Sequence, residues 1–222
     1  ATSFNGEVET TLYDRKKEFV TIGKNDPPFH YKQWSNALFR GKATVTNGEY
    51  ELTFILPKNI SDEVGEGKLS LYAFDDEVKK DAKGSYTGVR IGGAEDNIPL
   101  DITAPGIRLF MGDTTFTDGG VTTADTYLVA KLSDDSGINI SDFPDDHSIV
   151  AILDDGLATY VLNDYYVADI NTYKKGSIRF PILGLQPGPH TITVKVWDNH
   201  NNPATASVSF MVTEGDNLVI ED

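Results

Sequence analysis

The chain contains no cysteine, which excludes a disulfide framework, a thiolate metal site and a cysteine nucleophile. The redox compartment stays open, because an extracellular protein can also do without cysteine. Basic residues are scarce: 19 Lys+Arg stand against 34 Asp+Glu, a formal charge of -15. That field repels nucleic-acid phosphate and anionic lipid heads, both of which are bound by clustered Lys and Arg, so no nucleic-acid partner is expected. No apolar run reaches the ~18 residues of a membrane span. The chain opens Ala1-Thr2-Ser3 with no basic segment leading into an apolar one, so no targeting signal is read and no direct membrane insertion is expected. Nor does any stretch carry an apolar 3.6-residue stripe long enough for a helix.

What is present has period two. The 222 residues suit two domains of ~100 residues, each able to bury a core without a metal or disulfide. Residues 37–57 carry the clearest pattern: Ala43 and Val45 alternate with polar neighbours, Asn47-Gly48 follows, then Tyr50, Leu52, Phe54 and Leu56 alternate again. Asn-Gly supplies the two left-handed positions of a type I′ turn, so a hairpin is predicted. Further strands are expected at 4–13, 18–22, 68–74 and 86–91, the last two as a pair, and Tyr50, Leu52 or Phe54 should line the first core. Residues 96–105 lose the alternation and carry Pro99 and Pro105, which marks a connector. The predicted organisation is a β-sandwich domain at 1–101 and an immunoglobulin-like β-sandwich domain at 102–213. Residues 214–222, with the apolar Leu218-Val219-Ile220, are expected to form a linker to a following domain, the chain being an excised piece of a larger protein.

The second half offers seven strands, at 106–111, 126–132, 148–153, 158–162, 176–182, 190–197 and 204–212, the count of a constant-type immunoglobulin sandwich. On strand 190–197, Ile192, Val194 and Val196 should face inward and Thr191, Thr193 and Lys195 outward, with Trp197 packing at the sandwich end. Charge is uneven. Residues 1–101 hold 13 Lys+Arg and 17 Asp+Glu, net -4, and residues 102–222 hold 6 and 17, net -11.

Chemistry is hard to find. His30, His147, His190 and His200 show no i,i+4 pairing of the kind that binds zinc on a helix. No G-x-S-x-G elbow occurs, and Asp135-Ser136-Gly137 reads as a turn. Gly92-Gly93 leads into a connector rather than a helix, so nucleotide binding has no support. Calcium is the one cation acidic loops invite, at Asp134, Asp135, Asp142, Asp145 and Asp146, or at Asp198 with Asn199, Asn201 and Asn202. Without an EF-hand spacing, the plainer role of these residues is local turn hydrogen bonding. Phe29, Tyr31 and Trp34 lie in a loop-like stretch where rings can stack on a sugar, and Tyr160, Tyr165, Tyr166 and Tyr173 cluster later, where sandwich packing is the simpler reading. No catalytic, cofactor-binding or metal residue is therefore assigned.

Several runs together resemble one family. They are Phe39-Arg40-Gly41-Lys42-Ala43 through Asn47-Gly48, Tyr86-Thr87-Gly88-Val89-Arg90-Ile91-Gly92-Gly93, Val161-Leu162-Asn163-Asp164-Tyr165-Tyr166, Lys175-Gly176-Ser177-Ile178-Arg179-Phe180-Pro181, and Gly188-Pro189-His190 through Trp197-Asp198-Asn199-His200. In this order and continuity, from Phe4 to Asp222, they resemble the non-catalytic β-sandwich region of the PorU family, the gingipain-like (C25-type) cysteine sortases of the type IX secretion system. The resemblance implies a surface protein of Bacteroidetes-type bacteria, on the extracellular face of the outer membrane. In that family an upstream peptidase domain removes the C-terminal sorting domain of secreted cargo and joins the cargo to anionic lipopolysaccharide, with an outer-membrane barrel and other secretion components as partners. The family's catalytic Cys and His lie upstream of the matched part, so no catalytic position carries over. A stand-alone surface module of carbohydrate-binding or adhesin type is the alternative.

Overall fold

The computed structural model describes residues 4–24, 26–93, 100–142 and 145–213. Among the described residues all regular structure is β apart from three single-turn 3-10 helices. The first half contains β1 (Gly6–Tyr13), β2 (Lys17–Val20), β3 (His30–Gln33), β4 (Ala37–Val45), β5 (Gly65–Glu66), β6 (Lys68–Asp75), β7 (Lys80–Tyr86) and β8 (Arg90–Ile91). Four of them form an antiparallel sheet in the order β4-β1-β6-β7, while β2-β3 and β5-β8 are separate ribbons. Alternation fixes the sheet's faces. Val8, Thr10 and Leu12 lie opposite Ala43, Gly41 and Phe39, all buried. On the other face Glu9 pairs with Lys42 at 2.9 Å.

The predicted hairpin forms only at its first arm and turn. Asn47 (φ 55°) and Gly48 (φ 83°) take the left-handed conformations that the turn requires, and Thr46 and Glu49 exchange backbone bonds of 2.9 and 3.0 Å. Beyond Tyr50 the ladder stops, and residues 50–57 pair with no strand. Leu52, Phe54 and Leu56 instead lay one side of an extended segment on the core, where Phe54 stacks on Phe39 with centroids 4.3 Å apart. Period two reports one buried side of an extended chain, whether or not its backbone has a partner. Tyr50, expected inside, is 38% exposed.

Two other expectations need correction. The stretch containing Phe29, Tyr31 and Trp34 is not a loop throughout, because His30–Gln33 pairs antiparallel with Lys17–Val20. The partner of β6 is Lys80–Tyr86 rather than 86–91. Every residue of β7 is exposed, and an edge strand wet on both faces carries no apolar alternation to read.

The second half contains β9 (Gly106–Met111), β10 (Val121–Thr122), β11 (Thr126–Ser133), β12 (Val150–Leu153), β13 (Ala158–Val161), β14 (Tyr166–Ala168), β15 (Lys175–Ile182), β16 (Gly188–Trp197) and β17 (Pro203–Val212). All seven predicted strands are present. Two sheets form, β14-β15-β11-β9 and β10-β17-β16-β12-β13, which match the D-E-B-A and G-F-C-C′ layers of an immunoglobulin sandwich. The short β10, parallel to β17, and the three-residue β14 lie below the length at which periodicity is visible. They bring the body beyond the constant-type count. Ile192, Val194 and Val196 are fully buried, while Thr191, Thr193 and Lys195 are exposed or half-buried, as the alternation requires.

One apolar cluster runs through the sandwich and on into Leu12, Leu38, Phe39 and Ile91 of the first half. The edge of β4 is closed by Asn171, whose backbone N–H donates to the Lys42 carbonyl at 2.9 Å and whose Oδ1 accepts the Thr44 N–H at 2.8 Å. An open edge is thereby covered by a side chain standing in for a strand. Residues 100–105 have no regular structure. The rest of the predicted connector, 96–99, and the predicted linker 214–222 lie outside the described residues.

Candidate functional site

The loops at one end of the immunoglobulin-like body meet the first half, and there the structure gathers its carboxylates. Asp134 follows β11; its Oδ1 accepts the Ser136 backbone N–H and hydroxyl, both at 2.7 Å. Gly137 then takes φ +87°, and a Cβ there would press on the Asn199 amide and the Tyr173 carbonyl, each at 3.1 Å. Asp198 follows β16 and caps its own loop: Oδ1 accepts from the His200 and Asn202 N–H groups at 2.9 and 2.7 Å, and Oδ2 from the Asn202 amide at 2.7 Å. Asp101, from the connector, accepts the Thr103 N–H at 2.9 Å and faces His200 Nδ1 across 3.5 Å. Carboxylate oxygens of Asp101, Asp134 and Asp198 lie within 4.8 Å of one another.

Crowding has an electrostatic consequence. Burial raises the Asp134 pKa, the charges of Asp198 and Asp101 raise it further, and the Ser136 bonds only partly oppose this. Such a donor set suits a hard cation, which takes oxygen ligands in loose geometry. Yet both oxygens of Asp198 and one each of Asp134 and Asp101 already accept hydrogen bonds from their own turns. By itself each carboxylate caps its own turn, and the three turns meet at one seam.

Further bonds cross that seam. The Asn199 amide donates to the Ile55 and Ser136 carbonyls at 2.9 and 2.8 Å, and the Lys58 N–H returns to the Asn199 carbonyl at 2.8 Å. The Asp142 N–H reaches Asn36 Oδ1 at 2.9 Å. Arg40 spans from β4 to the Asp164 carbonyl at 2.7 Å and to its carboxylate at 3.0 Å. A cleft of about 440 Å³ opens beside these contacts, between Thr44, Glu51, Thr53 and Asn171.

Of the described acidic residues singled out in the sequence, only Asp134 and Asp198 converge. Asp135 pairs with Lys174 at 3.0 Å, Asp142 with Lys17 at 2.8 Å and Asp146 with His147 at 2.8 Å. The Asp145 side chain lies outside the described residues. Asn202 serves Asp198, and Asn201 takes a left-handed φ of 70°. Sequence reasoning missed Asp101, since it sits in a stretch with no periodicity and reaches the cluster only through the tertiary fold.

Each histidine faces a carboxylate, His30 at Glu18 (3.0 Å), His190 at Asp154 (2.6 Å) and the other two as above. The Ser136 hydroxyl donates to Asp134, so it is not set against an imidazole base as an activated nucleophile requires. The aromatics divide. Tyr31 stacks between Phe19 and Phe29 at 5.5 and 6.4 Å, and Phe29 and Tyr31 are exposed. Trp34 is tied down by its indole N–H to the Glu66 carbonyl and by Lys16 over its ring at 4.1 Å. Tyr160 and Tyr165 pack on Phe180, Tyr173 packs against the core, and burial raises the Tyr166 pKa. Trp197 packs on His147 at the sandwich end, centroids 4.1 Å apart.

No helix among the described residues is long and apolar enough to cross a membrane. No family model matches the chain, and no curated protein matches it. Among solved structures the chain is similar to the dimeric latent PorU of Porphyromonas gingivalis, at 31% identity over 96% of this chain and 20% of that one, with a TM-score of 0.49. It spans about a fifth of the length of the protein it resembles.

Proposed function

We propose that the chain is a non-catalytic structural and interaction module of a cell-surface type IX secretion sortase. It follows the peptidase domain and holds that domain in a set orientation towards the outer-membrane barrel, other secretion components and cargo. Residues 1–101 and 102–213 are its two units. The ordered runs between Phe4 and Asp222 support the family reading. The observation that carries the mechanical role is the seam: a shared apolar cluster, the Asn171 closure of β4 and the Asn199 bonds join the halves by side chains from both. Stiff sandwich bodies suit positioning, with end loops left to carry contacts. The acidic second unit is the partner-facing part, its charge steering a basic surface towards it.

The purified chain should turn over no gingipain-type peptide. In the full-length enzyme, in-frame deletion of this region should leave cleavage of a small peptide intact and abolish cargo processing. Normal cargo cleavage and lipopolysaccharide attachment in that strain would overturn the proposal. The exposed Phe29 and Tyr31 rings favour a second reading, a stand-alone carbohydrate or adhesin module, which a chain fully active in saccharide binding without any peptidase would support.

A further inference from the structure

The acidic second half holds only six cations, Arg108, Lys131, Lys174, Lys175, Arg179 and Lys195. Two are spent elsewhere: Lys174 pairs with Asp135 at 3.0 Å, and Lys195 lies over the Trp197 ring at 4.6 Å. The strand register collects the other four on the outer face of the β9-β11-β15 sheet. Lys131 is directly opposite Arg108 on β9 and opposite Ser177 on β15. Lys175 and Arg179, two residues either side of Ser177, are therefore its diagonal neighbours on the same face. Opposed residues stand about 5 Å apart and diagonal ones about 7–8 Å, all within about one Debye length at physiological salt.

Like charges directly opposite each other destabilise a sheet, and 17 acidic residues in this half are enough to pair every cation. Among the described residues, however, none of these four makes an ion pair. The Arg179 guanidinium lies over Tyr127, 3.6 Å from the ring centroid, a contact with the ring face that does not use up its N–H donors. Around Lys131 a hollow of about 410 Å³ is lined by Arg108, Lys131, Ser133 and Lys175, with Asp169 the one carboxylate among the described residues on its wall. The chemistry is that of an oxyanion receptor: several cations without internal partners, a hydroxyl donor, and a concavity.

We infer that the outer face of β9-β11-β15 binds a multiply charged oxyanion of the phosphate class, with Lys131 at its centre and Arg108, Lys175 and Arg179 around it. A phosphate ester in solution and a lipid headgroup share this chemistry. The site is independent of the seam and of the sortase reading.

The test uses the intact chain with inorganic pyrophosphate as probe, followed by amide chemical shifts and calorimetry. Pyrophosphate should move the amides of Arg108, Lys131, Ser133 and Gly176, with affinity falling as salt is raised. Lys131→Gln and Lys175→Gln should each weaken it by about tenfold, the effect of one charge-assisted hydrogen bond. Neither should lower the melting temperature, since each relieves repulsion. Lys80→Gln/Lys83→Gln on β7 is the control for non-specific charge and should change affinity less than about twofold. Sedimentation with phosphatidylglycerol but not phosphatidylcholine vesicles, lost in Lys131→Gln, identifies a lipid headgroup; pyrophosphate binding without vesicle binding identifies a soluble ester. No binding of either probe, binding undiminished in both Gln variants, or equal loss in the β7 control would overturn the inference.

Discussion

The two ends of the immunoglobulin-like body both rely on aspartate to hold their loops, but with opposite electrostatics. At the seam, Asp134 and Asp198 cap their own turns and meet Asp101, so like charges converge in a partly buried place. At the far end Asp154 has an opposite charge to work against. It sits in a left-handed conformation (φ 46°), as does Asp155 (φ 53°), a strained start to the turn between β12 and β13. Its carboxylate accepts from His190 Nδ1 at 2.6 Å and from the Thr191 N–H at 2.8 Å, while His190 Nε2 lies 2.7 Å from the Gln186 carbonyl. Both ring nitrogens face oxygens that only accept, so the bonded ring is an imidazolium. A turn capped by a lone carboxylate tolerates a change of charge nearby, whereas a turn held by an ion pair depends on a proton.

The largest expected effect tests whether the seam is held by apolar contact more than by its polar bonds. Phe54→Ala removes the ring stacked on Phe39 and should cost about 3 kcal/mol in chemical denaturation. Asp198→Ala leaves the His200 and Asn202 donors without their acceptor, but it also relieves repulsion at Asp101 and Asp134. A net loss of about 2 kcal/mol is expected. If Asp198→Ala proved the more damaging of the two, polar capping rather than packing would dominate the seam.

The far end should respond to pH. Burial alone would lower the His190 pKa, but the bonds to Gln186 and Asp154 and the Asp154 charge outweigh it and the pKa is raised. A folded-state pKa above the unfolded value of about 6.5 means that the proton's contribution is fully present below that value. It is lost as pH rises through the folded one. Thermal melts across this window should show a decline that is absent in Asp154→Asn, a variant itself weakened by about 1 kcal/mol. Amide exchange at Thr191 should quicken over the same pH range, and a flat profile in the wild type would mean that the ion pair does not hold the turn.

How much of this was legible in the sequence follows from what each pattern reports. Ile192, Val194 and Val196 alternate on a central strand with one buried face, so pattern and structure agree. Leu52, Phe54 and Leu56 alternate for the same reason, one buried side, and the inference to a paired strand failed because burial and pairing are separate facts. Lys80–Tyr86 pairs without burying anything, the reverse case. Side-chain chemistry was legible only within a loop. The turns at Asp134 and Asp198 could be read locally, but their meeting with Asp101 and the closure of β4 by Asn171 depend on how the two halves dock. The basic face of β9-β11-β15 is likewise invisible in a half whose composition is acidic, because only strand register brings Arg108 opposite Lys131.

The smallest expected effect isolates like-charge crowding from capping. Asp134→Asn keeps an oxygen to accept the Ser136 N–H and hydroxyl, and removes only the charge. Because the folded-state pKa of Asp134 is raised, the folded protein holds this proton more tightly than the unfolded chain. The penalty is therefore absent below the ordinary aspartate range, grows as pH rises through it, and is complete above the folded value. At neutral pH the variant should gain on the order of 0.5 kcal/mol, discounted for solvent screening, and the gain should vanish on acidification. A variant less stable than the wild type at neutral pH would show that the negative charge of Asp134 strengthens its cap on Ser136 by more than Asp101 and Asp198 repel it. The two ends of the body would then differ in partner but not in sign, each held by a carboxylate that must stay ionised.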